Sequence, residues 1–359
     1  MRLVRMHRLV PHAQRALLES RAAVPDDCAL ALQDETIAIA ARALARARQL
    51  AELASVLARD GVRAVAFKGP TLSLASYGNV GVRESVDLDI VVLPGDLDRA
   101  RDTLRSAGYT SRARMSPAQE RTLQRSFGHF TYVRAGAPAS VELHWRYAAP
   151  RYPWSLSAEE VLSRSRSIEI AGVHIAVAEP TDELLLQAMH GARHQWECLE
   201  WLVAFGRLMR LAAIDERALV ERARANGSLR ALAVSLRLAN DVLGARLSPR
   251  LDAISRDDTT VALAGEIVRA IANAADAGEL PTAQPYSLNQ RMMDGAGARA
   301  RYLALSVFAP TMREWELVRF PDGLRLLYYP VRLLRVLVLR PVRFARAEVR
   351  RLRAPDVRR

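Results

Sequence analysis

Lysine is almost missing from this chain. Lysine and arginine together number 52, and Lys68 is the single lysine among them. Arginine has taken every other basic position, so the one exception marks a place that wants a compact ammonium, and such a point charge suits contact with a phosphate. Cysteine is nearly as scarce. Cys28 and Cys198 are the only two, too few for a disulfide framework and consistent with a reducing compartment. No uncharged apolar run approaches the eighteen residues expected of a membrane-spanning helix. The first twenty residues are basic in places but have no apolar h-region, so no secretory leader is expected. The expected location is the cytoplasm. No repeat of fixed period is evident.

What is present is ordinary in bulk: 359 residues, 50% hydrophobic and 25% charged, enough chain for one or two domains with sizeable cores. The net charge of +13 suggests a nucleic-acid or membrane partner until it is located. Residues 324–359 carry eleven Arg against Glu348 and Asp356, so nine of the thirteen excess charges lie in that tail. The tail could serve a peripheral membrane contact, an acidic partner or RNA, or be a solvated helix bent at Pro330 and Pro341.

The chain is organised around residues 62–93. Val62–Phe67 reads as a short buried strand that stops at Lys68-Gly69. Gly69 allows close backbone approach to an anion, and Pro70–Tyr77 reads as a helix with proline at its first position, its free N–H groups aimed at the same place. A loop at Gly78–Gly81 then delivers Arg83, a second candidate phosphate contact or a surface arginine. Val86–Leu93 reads as a second strand on which Asp87 and Asp89 alternate with apolar residues, so both carboxylates share a face. Two acids that close repel unless a cation lies between them, and hard oxygen ligands favour Mg²⁺ or Mn²⁺. The alternative is two solvated acids on an edge strand.

Ser126–Arg134 and Ser140–Arg146 read as a hairpin turned at Gly136–Pro138, with Glu142 and His144 on one face of its second strand. Farther on, a helix opening at Glu179–Asp182 carries His190 and His194, which at i, i+4 share a face. That spacing suits zinc, but neither a glutamate between the two histidines nor a cysteine cluster completes such a site.

These motifs resemble those of the uncharacterised nucleotidyltransferases within the DNA polymerase beta-like superfamily. The resemblance runs from Val65 to about Leu211 and is carried in order by FKGPTLSLASYGNVGVRESVDLDIVV, VELHW, LLLQAMHGARHQW and LEWLV. It implies an α+β fold: a small mixed sheet flanked by helices, with N-terminal helices and a C-terminal helical region. It implies Glu142 as the third carboxylate beside Asp87 and Asp89, together holding Mg²⁺ or Mn²⁺. Lys68, Gly69 and Arg83 would hold the phosphates of a nucleoside triphosphate. His144 reads as a phosphate contact or a supporting residue, and His190 and His194 as substrate contacts lining the cleft. One departure stands out: Ala204 occupies a place where the family often carries an aspartate.

The expected organisation is an N-terminal helical segment (1–60), a catalytic core (61–178), a helical domain (179–275), a linker with one helix (276–323) and the basic tail (324–359). The expected activity is transfer of a nucleoside monophosphate to a hydroxyl of an unidentified acceptor (small molecule, protein or RNA), with release of pyrophosphate. Two alternatives are a sugar-nucleotide donor on the same fold and a non-catalytic nucleotide-binding protein that docks through its arginine-rich tail.

Overall fold

A computed structural model describes residues 1–22, 24–113, 115, 119, 120, 123, 124, 127–211, 213–277 and 286–339. Among the described residues, seven strands form one mixed sheet, in the order β3-β4-β5-β2-β1-β7-β6. They are β1 (Ala64–Phe67), β2 (Asp87–Val92), β3 (Thr110–Ser111), β4 (His129–Val133), β5 (Ser140–His144), β6 (Arg166–Ile170) and β7 (Val173–Val177). β2 lies at the centre, antiparallel to β1 and parallel to β5.

The period-two alternation of the strands divides the core in two. Ala66, Leu88, Ile90, Val92, Val141 and Leu143 point to one side, where they meet Leu50, Leu53 and Leu57 of the long Asp26–Arg59 helix and Leu97 and Leu104 of the Leu97–Ser106 helix. Val65, Phe67 and Val91 point to the other, against a helical layer that includes Leu184, Leu202, Phe205, Leu232 and Leu263. The Asp26–Arg59 helix runs its full length because no glycine or proline interrupts it; Asp26 and Asp27 in its first turn and Arg59 in its last complement its dipole.

This helix also fixes where β5 begins. The buried Gln49 amide donates to the Ala139 carbonyl (2.9 Å) and accepts from the Ala139 N–H (2.9 Å), and it also donates to the Tyr109 hydroxyl at 2.9 Å. The start of β5 is thereby clamped three residues before Glu142. The architecture is the α+β arrangement that the sequence implies, a mixed sheet between helical layers.

Beyond the linker expected near residue 276, the chain forms the helices Tyr286–Arg291, Gly295–Phe308 and Met312–Leu317 and then Tyr328–Leu334. Tyr302 enters the helical core, while Trp315 and Tyr328 enter the core beneath the sheet, their rings stacked at 3.8 Å. Two arginines of the basic segment, Arg332 and Arg335, pair with the buried Glu314. Residues 340–359, where most of the tail's charge lies, fall outside the described residues. Among the described residues no helix is long and apolar enough to cross a membrane.

Candidate active site

The turn after β1 is strained. Lys68 has φ 59° and ψ −152°, a combination usually left to glycine, and Gly69 follows at φ 41°. A Cβ on Gly69 would stand 3.6 Å from the Asp87 carbonyl and 3.8 Å from the Ser85 hydroxyl, so this turn is pressed against the entry to β2. The Gly69–Tyr77 helix starts there with a proline in its first turn and stops at Gly78, which takes the left-handed conformation. The strain aims the Lys68 ammonium at Asp89, 3.0 Å from its Oδ1.

In the parallel pairing of β2 and β5, Asp89 lies opposite Glu142 and Asp87 opposite Ser140. Asp89 and Glu142 are therefore neighbours across roughly 4.8 Å of sheet, on the same face. Asp87 is one step along that face. His144 Nε2 reaches Asp89 Oδ1 at 2.9 Å and Glu142 Oε2 at 3.2 Å. Its ring is held edge-on against Phe67, centroids 5.1 Å apart.

The charges respond to this crowding. Burial, reinforced by Asp89 and Glu142, pushes the Asp87 carboxyl up to about 6. Burial alone would raise Asp89 too, but the Lys68 ammonium and the His144 hydrogen bond outweigh it and hold that carboxyl well below the usual range. Burial opposes the charge on His144, yet its bonds to Asp89 and Glu142 raise its pKa. Burial likewise works against Glu142, whose bond to His144 and nearness to His129 lower it.

This donor set fits a hard divalent cation. Three carboxylates share one face of adjacent strands, and one of them, Asp87, is driven toward its neutral form by burial and by the other two. A cation would relieve that repulsion. Among the described residues, the set of ligand-type atoms that all lie within 4.8 Å of one another is His129, Glu142 and His144. Asp89 joins this set through His144, and Asp87 stands beside it.

His129 escaped the sequence reading. It sits on β4 directly opposite His144, its imidazole 3.6 Å from Glu142, and burial pushes its pKa down to about 4, with His144 adding to the effect. The available signal was the alternation of His129, Thr131 and Val133 on a strand expected to pair with β5.

Arg83 is turned elsewhere. Its Nε donates to both oxygens of Glu200, at 2.8 and 2.9 Å, with side-chain exposures of 5% and 0%. His190 and His194 lie on the Pro180–Arg193 helix and its C-terminal cap, their rings packed on each other (4.8 Å) and on Trp201 (4.9 and 5.3 Å). Burial holds both imidazoles neutral, with His190 well below its ordinary value and His194 at about 3. His190 shares a small pocket with Lys68, and His194 lines a larger cleft with His129 and His144. Ala204 is fully buried in the helical core.

Sheet order and register thus define a mixed α+β core with Asp89 and Glu142 paired on its central strands. The model of the family described as "uncharacterised nucleotidyltransferase" matches residues 1–244, and the chain belongs to this family. No curated protein matches it. Among solved structures it is similar to the antibiotic-resistance factor ANT(2'')-Ia in solution, with TM-score 0.31 and 12% identity over 50% of this chain and 94% of that one. It is also similar to a tRNA-processing enzyme in an apo form, with TM-score 0.24 and 14% identity over 89% of this chain and 93% of that one.

Proposed function

We propose that the protein transfers a nucleoside monophosphate from a nucleoside triphosphate to an acceptor hydroxyl, using Mg²⁺ or Mn²⁺. The observation that carries this reading is the pairing of Asp89 with Glu142 across β2 and β5, with Asp87 on the same face and Lys68 closing its edge.

Asp87, Asp89 and Glu142 would hold the metal. A divalent ion bound there supplies charge that lowers the pKa of an acceptor hydroxyl and offsets the negative charge of departing pyrophosphate. The chain's own groups do the rest. Lys68 and the free N–H groups at Gly69 bind and orient phosphate oxygens. Glu142, its carboxyl kept low by His144 and His129, is ionised at neutral pH and able to accept the hydroxyl proton. His144 ties Asp89 to Glu142 and fixes their orientation. Buried and paired with Glu200, Arg83 positions the segment between the Lys68 turn and β2 rather than meeting the phosphates itself.

The test incubates full-length protein with Mg²⁺ or Mn²⁺ and each α-labelled nucleoside triphosphate, with and without cell extract. Label on an acceptor in the wild type, and none with Asp89→Asn of unchanged thermal stability, is the expected result. Retained transfer in that variant would remove the carboxylates from the mechanism. A product mass increased by a sugar instead would assign the sugar-nucleotide donor.

A further inference from the structure

Beside β5 the sheet opens into a cleft of about 510 Å³, within the range of small-molecule sites. His129 and His144 line it, and both touch Glu142. The cleft therefore lies beside the carboxylate face, with the two imidazoles between.

Its charged lining has one sign. Arg146, Arg151, Arg193 and Arg332 line it, and no Asp or Glu does so among the described residues. Arg332 is compensated by Glu314. The other three form no ion pair among the described residues. Arg151 Nε is buried without a hydrogen-bond partner. Arg193 spends its Nε on the neutral His194, at 3.1 Å, leaving its terminal nitrogens. Three arginines that form no ion pair among the described residues thus line one small volume, and their forked donors match phosphate oxygens.

Two observations narrow the ligand. Lys68, to which the proposed mechanism assigns the donor's phosphates, does not line this cleft. The far wall is built by the C-terminal segment, through Leu305, Phe308, Pro310 and Tyr329, and the volume suits a small molecule.

We propose that this cleft is the acceptor site and that the acceptor is a phosphate-bearing small molecule held by Arg146, Arg151 and Arg193. The assignment rests on the nucleotidyl-transfer reading above. In the reaction the acceptor oxygen bonds to the α-phosphorus, the bridge between α- and β-phosphates breaks, and pyrophosphate leaves with the electron pair. The hydroxyl proton passes to Glu142. A polycationic acceptor such as an amino sugar is repelled from the same space.

Titration of full-length protein with inorganic phosphate, at constant ionic strength and without nucleotide or metal, tests the site. Wild type is expected to bind and to gain thermal stability. Arg151→Gln and Arg193→Gln each weaken binding by about tenfold or more, Arg151→Lys by less, and Arg217→Gln, at an exposed arginine outside the cleft, leaves it nearly unchanged. No binding by the wild type, or an equal loss in Arg217→Gln, overturns the proposal.

A second arm offers ribose 5-phosphate, ribose, an amino sugar and RNA as acceptors for labelled nucleotide. Preference for ribose 5-phosphate over ribose supports the assignment; preference for ribose, the amino sugar or RNA overturns it. Arginine-dependent phosphate binding with no nucleoside triphosphate binding at all would instead reject the transfer reading and leave the anion site standing.

Discussion

Arg83 and Glu200, separated by 117 residues, form a buried two-oxygen ion pair that joins the segment before β2 to the helical layer. Removing either partner leaves a lone charge in a dry place. Arg83→Met is expected to destabilise the protein by ~3–5 kcal/mol, whereas Arg83→Met with Glu200→Met costs much less. Urea unfolding of the two variants makes the comparison. A single variant of unchanged stability that binds nucleotide poorly would return Arg83 to the phosphate site.

Asp87 gives a pH signature. Its folded-state pKa of about 6 lies above the unfolded value of 3.8. Proton binding at Asp87 therefore favours the folded chain, a contribution fully present below pH 3.8 and lost as pH rises through 6. Without metal, Asp87→Asn is expected to melt above wild type at pH 7.5, because it removes an ionised carboxylate from a crowded acidic face. Adding Mn²⁺ should raise the wild-type Tm more than that of the variant. Metal affinity should fall as pH drops through about 6, where protons compete for the same oxygens. Thermal scans across pH, with and without metal, read all three effects.

Gly191 is set by packing rather than by backbone conformation. A Cβ there would stand 2.2 Å from the indole of the fully buried Trp196. Gly191→Ala is expected to cost ~3 kcal/mol or more, at the upper end for an overpacked core, and to disturb the neighbouring His190–His194 pair. Equilibrium unfolding together with near-ultraviolet circular dichroism of the tryptophans would detect both.

Gln49→Leu removes the clamp on β5. The Ala139 N–H and C=O both lose their partner, and the expected cost is ~2–4 kcal/mol from two buried backbone groups. Transfer activity measured well below the new melting temperature should also fall, because the same clamp sets the register that puts Glu142 opposite Asp89.

Much of this site was legible in local pattern. The single lysine, the glycine after it and the alternation of Asp87 and Asp89 mark a turn and a strand without reference to any other part of the chain. Glu142 and His144 were visible for the same reason. Their meeting with Asp89 depends on the parallel pairing of β2 and β5, which hydrophobic alternation alone does not specify; the family resemblance implied Glu142 as the third acid but not that pairing. Arg83 could not be separated from other arginines in sequence, because its role depends on a partner in a distant helix. Arg146, Arg151 and Arg193 were hidden by abundance: an arginine carries information only once its neighbours show whether it is paired.

The C-terminal helices bridge the two cores, with Tyr302 seated in one and Trp315 and Tyr328 in the other. They also stand beyond residue 244, where the family match ends. The strands that carry the acids lie within that match, and the far wall of the cleft beside them lies outside it. On the acceptor assignment proposed above, exchanging only this last arm would change which acceptor fits and leave the carboxylates untouched.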